Sequence, residues 1–210
     1  MKTHHTLLSL GSALILTACL MGACAPSDSA ESASESQSAP PEFDYLAISG
    51  QLAQKLQGAL GPKLMAAMKS GGPAEAIVVC QQVAQDLTKA ASEAEPEVKI
   101  SRTALRVRNP ANRPDALDRE VLEAWNANKE RTGPPEPQLT ASNGQMIVHR
   151  PIMTAEACLQ CHGSPEQINP ETAGLIETYY PDDAAKGFQV GDVRGAFRIE
   201  FTELAGVDHR

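Results

Sequence analysis

Near its C-terminal end the chain reads Val193-Arg194-Gly195-Ala196-Phe197-Arg198-Ile199-Glu200-Phe201. Apolar or small side chains occupy every second position, and most positions between them are charged. This period of two is typical of a half-buried β-strand. No long helical crossover precedes the stretch, so we expect it to pair antiparallel with neighbouring strands.

Two helices are predicted well before this strand. Apolar residues recur at helical spacing over residues 43–69, with a break expected at Gly61-Pro62, and again over residues 74–91 after Gly71-Gly72-Pro73. One face of the second helix gathers small and apolar side chains: Ala76, Ile77, Cys80, Val83, Ala84 and Leu87. Cys80 is therefore expected to point inward.

Further strands and short helices are predicted between these helices and the last strand. Alternation predicts strands at residues 98–108, 137–140 and 145–153, the last after a hairpin turn at Asn143-Gly144. Short helices are expected in three places: residues 114–126 with Leu117, Val121, Ala124 and Trp125 buried, a helix around residue 158 capped by Thr154, and residues 169–179 capped by Asn169. Helices followed by interleaved strands predict an α+β domain with an antiparallel sheet.

The residues most informative about chemistry are Cys158-Leu159-Gln160-Cys161-His162. C-x-x-C-H is the haem attachment motif of c-type cytochromes. Two thiols on one helical turn can each add to a haem vinyl group, and the histidine that follows becomes the proximal axial ligand of the iron. A zinc site would need a second Cys or His pair, and a redox C-x-x-C would follow a strand in a βαβ unit; neither pattern is visible. We expect one covalent haem c, bound at Cys158 and Cys161, with His162 as iron ligand.

The N-terminal stretch predicts export, which haem c attachment requires. Residues 1–5 form a short basic start, and residues 6–18 form an apolar run too short to span a membrane, as in a signal peptide. The run ends in Leu16-Thr17-Ala18-Cys19, which resembles a bacterial lipoprotein box and predicts acylation of Cys19. Cys24 is a weaker second candidate, and an ordinary cleavage site with a soluble periplasmic product is the alternative.

The chain is expected to have three parts. Residues 1–18 are predicted to be the lipoprotein signal peptide, and residues 19–42, rich in Ser, Ala, Glu, Asp and Pro, a disordered tether. Residues 43–210 are long enough for one domain. The expected location is the periplasm, with the domain lipid-anchored to the cell envelope, most naturally the outer membrane.

Charge and cysteine count narrow the function further. The 26 acidic and 18 basic residues give a net charge of −8, which argues against a nucleic-acid partner. Of the five cysteines, two are assigned to haem and one of Cys19 and Cys24 to lipid. Cys80 is then the single unexplained thiol of the domain, so a disulfide framework is not expected. A free buried cysteine often behaves as a small hydrophobe, and it can also bind a metal.

Five stretches resemble a family of secreted monohaem proteins, a domain of unknown function in which haem c sits in a PAS-like fold related to haem-binding sensor domains. They are residues 77–80 (Ile-Val-Val-Cys), 102–112 (Arg-Thr-Ala-Leu-Arg-Val-Arg-Asn-Pro-Ala-Asn), 158–163 (Cys-Leu-Gln-Cys-His-Gly), 180–188 (Tyr-Pro-Asp-Asp-Ala-Ala-Lys-Gly-Phe) and 191–196 (Gly-Asp-Val-Arg-Gly-Ala). The resemblance implies a PAS-like antiparallel sheet that follows long N-terminal helices.

The resemblance also implies an unusual pair of iron ligands, His162 and the thiol of Cys80. Competing sixth ligands are His149, Met146 and Met153, which precede the haem motif, whereas Met65 and Met68 are interpreted as core. Positive charge near a thiolate lowers its pKa, and arginines also bind haem propionates. We therefore expect Arg102 and Arg106, from a cluster that includes Arg108 and Arg113, to contact the cofactor; the alternative is a solvated strand face.

Three functions are compatible with these residues. A single-electron carrier needs only a haem near the surface and a redox partner protein. A redox or gas sensor would use loss of the sixth ligand, and we expect it also to act through a partner, because no signalling domain is visible in these residues. A peroxidase-type enzyme would need distal acid–base residues, for which His149 is the candidate and no partner is visible. We expect an electron-transfer or sensor protein rather than an enzyme.

Overall fold

The computed structural model describes residues 43–128 and 130–202. The helices and strands of this part are α1 (Tyr45–Glu93), β1 (Val98–Thr103), α2 (Ala116–Ala127), β2 (Gln138–Ser142), β3 (Gln145–Met153), α3 (Leu159–His162), α4 (Pro170–Tyr179) and β4 (Val193–Phe201). The predicted signal peptide, the tether, Cys19 and Cys24 lie outside the described residues. No helix within the described ranges combines the length and the apolar character that crossing a membrane requires.

The strands form one antiparallel sheet in the order β1-β4-β3-β2. The expected α+β fold is therefore confirmed, with β4 between β1 and β3. The predicted hairpin turn between β2 and β3 is present, and its residues Asn143 and Gly144 have φ values of 51° and 74°. Positive φ at both central residues matches the right-handed twist of the flanking strands.

Helices cover both faces of the sheet. On one face, the N-terminal half of α1 packs its buried side chains against the strands, in a cluster of Leu52, Ala53, Leu56, Ile100, Val148, Phe197, Ile199 and Phe201. On the other face, α2 packs Val121, Leu122 and Trp125 near Ala196. The prediction that β4 is half-buried is therefore wrong, because α2 also buries its second face, where Glu200 is only 8% exposed. On α2, Ala124 was predicted to be buried but is exposed, and Leu122, which was not predicted to be buried, is buried.

The break in the N-terminal helix lies at Gly71 and Gly72, and not at Pro62. Helical geometry continues through Pro62, whereas Gly72 has φ 69° and ψ −161°. A proline inside a helix removes one backbone donor, here the partner of the Gly58 carbonyl. Both residues are exposed, so water can satisfy that carbonyl. A positive φ at Gly72 interrupts the helix directly, since it is incompatible with helical backbone.

The strand predicted over residues 98–108 ends early, at Thr103. The next amide, of Ala104, donates to the carbonyl of Asn112 at 3.2 Å and so leaves the ladder with β4. The predicted cap at Thr154 is also wrong. Its backbone is held by Gly191 and Asp192 at the end of the sheet, and its hydroxyl, which is buried, makes no hydrogen bond within the described residues.

Candidate functional site

A cavity of about 510 Å³ lies between α1, the ends of β1 and β4, and α3. Its volume falls within the roughly 300–1,000 Å³ that is usual for ligand and cofactor sites. The face of α1 predicted from Ala76 to Leu87 lines it, and so do Cys80, Cys158, Cys161 and His162. The structure therefore brings together four predicted site residues from two distant parts of the chain.

His162 is held in one orientation and one tautomer. Its Nδ1 lies 2.7 Å from the carbonyl oxygen of Ala185. A carbonyl oxygen only accepts hydrogen bonds, so Nδ1 carries the proton and Nε2 keeps a free lone pair. Burial, followed by the charges of Arg194 and Arg108, lowers the pKa of His162 well below its usual value. The ring is therefore neutral and oriented, as a metal-binding histidine must be.

A loop of residues 183–188 holds α3 in place. Its amides at Gly187 and Phe188 donate to the carbonyls of Gly163 and His162, at 2.7 Å and 2.9 Å. The Phe188 ring also stands edge-on to His162, with 6.2 Å between ring centroids. Gly187 has φ 71°, which a glycine adopts without strain. This loop belongs to one of the stretches that carried the family resemblance, and its role is to orient the histidine.

The three cysteines of the cavity are free and partly buried. Burial raises the pKa of Cys161 to about 11, although the charge of Arg108 acts against it. Burial also raises the pKa of Cys80, against the charges of Arg108 and Arg102. Both pKa shifts favour the neutral thiol. A positive centre inside the cavity would favour the thiolate of Cys80 instead.

Arg108 ties α3 to the loop that orients His162. Its Nη2 donates to the carbonyl of Cys161 and to Asp183 Oδ2, the latter at 3.1 Å. The Asp183 side chain is only 1% exposed, and its Oδ1 accepts a hydrogen bond from the amide of Ala185 at 2.9 Å. Asp183 thus neutralises Arg108 and at the same time fixes the residue whose carbonyl holds His162.

The two arginines expected to contact a cofactor are in different places. Arg102 lines the cavity and donates from Nη2 to the carbonyl of Ala84 at 3.2 Å. Arg106 does not line it; its guanidinium lies 3.5 Å from the centroid of the Phe188 ring and donates to the carbonyl of Lys186. Alternation along the predicted strand of residues 98–108 would put Arg102 and Arg106 on one face, but β1 ends at Thr103 and the alternation stops before Arg106. Arg113 is exposed and also lies outside the cavity lining.

Arg194 is a cavity residue that sequence reasoning missed. Alternation put it on the polar face of the last strand, but it lines the cavity. The pairing of β3 with β4 shifts at this point, so that Ile152 faces Gly195 and Met153 faces Val193, which leaves Arg194 without a partner opposite. Such a β-bulge redirects a side chain. Burial and the charge of Arg108 lower the pKa of Arg194 to about 10.

A family model described as Tll0287-like matches residues 27–202. The chain belongs to the Tll0287-like family. The crystal structure of the cyanobacterial haem protein Tll0287 is similar to it with a TM-score of 0.57 and 23% sequence identity, and the match covers 82% of this chain and 100% of that one. This likeness supports the same fold, and the family resemblance read from the sequence is confirmed. No curated protein matches the chain.

The histidine and methionine side chains that competed with Cys80 as iron ligands, or were interpreted as core, lie in different parts of this Tll0287-like domain. His149 is fully buried on the α2 side of the sheet, where its Nε2 lies 2.7 Å from Asp118 Oδ1, and it does not line the cavity. Met146 packs in the core under α1. Met153 lines the cavity, together with Met65 and Met68, which are therefore not core residues as expected. Met65 is 60% exposed, because it lies at the rim rather than beneath another element.

The described ranges contain no group of three or more His, Cys, Asp or Glu side chains gathered closely enough to hold a bare metal ion. The four residues predicted to hold a haem in this Tll0287-like domain, Cys80, Cys158, Cys161 and His162, instead line the walls of one large cavity.

Proposed function

We propose that this chain is an exported protein that carries one covalent haem c and exchanges single electrons with a partner protein, as a carrier or as a redox sensor. The observation that carries the proposal is the cavity of about 510 Å³, on whose walls Cys158, Cys161, His162 and Cys80 meet. The likeness to a haem protein of the same family supports it.

The residues that line the cavity fit a haem c. Cys158 and Cys161, both free thiols, would form the two thioether bonds. His162 would bind through Nε2, since Nδ1 is committed to Ala185. Cys80 would be the sixth ligand, with Met153, Met65 and Met68 as the other sulfur candidates in the cavity. When bound, the haem would supply a one-electron iron couple, and a thiolate ligand would favour the ferric state and a low reduction potential.

Covalent attachment is the first point to test. The full chain is produced in a host that exports it and attaches haem c, and its intact mass and reduced pyridine haemochrome spectrum are measured. We expect the mass of one chain plus one haem, and a haemochrome band typical of two thioether bonds. The Cys158→Ala variant should shift that band toward the position for one thioether. Haem that is lost on acid extraction, or a mass without haem, would refute the proposal.

Carrier and sensor differ in what reduction does to the iron. A six-coordinate, low-spin haem in both oxidation states, without reaction with CO, is expected of a carrier. Loss of one ligand on reduction, followed by rapid CO or NO binding, is expected of a sensor. We expect no peroxidase activity: His149, the distal residue that such an enzyme would use, is hydrogen-bonded to Asp118 on the α2 side of the sheet.

The export part of the proposal rests on the sequence of residues 1–42. We propose that Cys19 is acylated and that residues 19–42 tether the domain to the cell envelope from the periplasmic side. Metabolic labelling with a fatty acid should label the wild-type chain and leave Cys19→Ser unlabelled, with Cys24→Ser as the matched control. If Cys24→Ser loses the label instead, Cys24 is the anchor; an unlabelled wild type would make the exported protein soluble.

A further inference from the structure

The cavity has an unbalanced positive charge. Arg102, Arg108, Arg194 and Lys63 line it, and no aspartate or glutamate among residues 43–128 and 130–202 does so. The whole chain carries a net charge of −8, so this local excess is opposite in sign to the rest of the protein. Arg108 is balanced by Asp183 at 3.1 Å just outside the lining.

Arg102 and Arg194 have no such partner, although the charge of Asp183 also acts on Arg194 from beyond ion-pair distance. Each donates to one backbone carbonyl, that of Ala84 at 3.2 Å and that of Arg106 at 3.1 Å. Neither makes an ion pair within the described residues, and the Nε atom of each is buried without a hydrogen-bond partner. Both side chains are half-buried, and a group that fills the cavity would bury their charges further, which is strongly unfavourable without a counter-charge. The group that fills the cavity would therefore have to supply the negative charge.

The two side chains come from neighbouring strands and reach the cavity next to different candidate ligands. Arg102, on β1, is close enough to Cys80 for each to influence the pKa of the other. Arg194 is placed by the β-bulge of β4, and its guanidinium lies 5.1 Å from the centroid of Phe188, the ring that stands against His162. Two separated cations on adjacent strands suit two separated carboxylates better than a single anion.

We infer that Arg102 and Arg194 form a clamp for two carboxylates of the group that fills the cavity. This inference rests on the proposed function, under which the carboxylates are the two haem propionates. Guanidinium groups bind carboxylates through two parallel hydrogen bonds, which a lysine cannot reproduce. Arg106 and Arg113 are not part of the clamp, because neither lines the cavity.

The test compares Arg102→Gln and Arg194→Gln with Arg119→Gln in the haem-loaded full chain; the Arg119 side chain lies on α2, is 54% exposed and does not line the cavity. Each clamp variant should shift the equilibrium between ferric and ferrous iron toward the ferric form by about tenfold, which is about 59 mV for one electron. The control should change by less than about twofold, since it is outside the cavity. Arg102→Lys and Arg194→Lys lose the paired hydrogen bonds but keep the charge, so their potentials should stay close to that of the wild type. Equal potentials in all variants would overturn the clamp.

A second measurement needs no variant. Propionate bending bands in the resonance Raman spectrum of the wild type should shift when H₂O is replaced by D₂O, because the hydrogen bonds come from exchangeable guanidinium protons. Bands that do not shift would overturn the clamp. A wild type without haem would instead overturn the proposed function, so the two failures are distinguishable.

The thiol of Cys80 is the competing anion. If Arg102 and Arg194 balanced a thiolate there, the effect of their removal would vanish in a Cys80→Ala background. We expect the same tenfold shift for Arg194→Gln in that background as in the wild-type background. Loss of the shift for both arginines would assign their charge to Cys80 and overturn the clamp.

Discussion

Replacing Asp118 by asparagine should remove a defined part of the domain's sensitivity to acid. The Asp118 carboxylate is only 5% exposed, and Oδ1 lies 2.7 Å from His149 Nε2 and 3.0 Å from Arg198 Nη1. Burial alone would raise the pKa of Asp118, but the hydrogen bond from His149 and the charge of Arg198 outweigh it and lower the pKa from 3.8 to about 2. Asparagine keeps the shape of the side chain and loses the charge.

The size of the effect follows from this pKa. A carboxyl group whose pKa is lower in the folded state than in the unfolded state stabilises the fold at pH values above its unfolded-state pKa. This stabilisation is lost as the pH falls through the folded-state pKa. At about 1.4 kcal/mol for each factor of ten in proton affinity, the ionised carboxylate contributes about 2 kcal/mol at neutral pH. The loss should begin near pH 4 and be largely complete near pH 2.

Urea unfolding of the haem-loaded protein between pH 2 and pH 7 measures this difference. Asp118→Asn should be less stable than the wild type by about 2 kcal/mol at pH 7, and the two curves should converge near pH 2. Glu123→Gln is the control, because Glu123 is 59% exposed in a pair 3.9 Å from Arg119 and should change stability by less than about 0.5 kcal/mol. A difference that persists undiminished at pH 2 would refute the electrostatic explanation.

Three further predictions concern the site and its support. Cys80→Ala should lose the thiolate features of the oxidised EPR spectrum and raise the reduction potential; an unchanged spectrum would remove Cys80 as a ligand. His149→Gln should leave the visible haem spectrum unchanged but lower the free energy of unfolding by about 1–3 kcal/mol, and a shifted Soret band would contradict its position away from the cavity. Gly195→Ala should cost about 1–3 kcal/mol in urea unfolding, because the new Cβ would lie 2.5 Å from the carbonyl oxygen of Thr103. Gly58→Ala, with no atom within 4 Å, should instead gain about 0.5–1 kcal/mol; a gain at Gly195 would contradict the packing.

The features that could be predicted from the sequence are encoded over a few neighbouring residues. Asn143-Gly144 specifies its turn because both residues tolerate positive φ. Asn169 caps α4 by accepting a hydrogen bond from the amide of Thr172 at 2.8 Å, as its place before Pro170 indicates. The helical spacing from Ala76 to Leu87 correctly places Cys80 on the face that lines the cavity.

The features that could not be predicted depend on contacts between distant residues. Arg194 follows the alternation of β4 in sequence, and only the shifted pairing with β3 turns it into the cavity. His149 is a plausible iron ligand by composition, and only the packing of α2 gives it Asp118 as a partner. Pro62 is a helix breaker by propensity, but the helix continues through it, and at this exposed position water can satisfy the carbonyl that loses its donor.

The group that fills the cavity would also contact the C-terminal half of α1. Cys80, Val83 and Leu87 face the cavity, so a group that fills it would add apolar neighbours to the packing that Ile77 already has against Ile176 and Tyr180. A haem held by thioether bonds would remain on the unfolded chain, so it would stabilise the fold through the contacts and the iron ligands that it has only in the folded state. Loading with haem should therefore slow amide hydrogen exchange over residues 80–87.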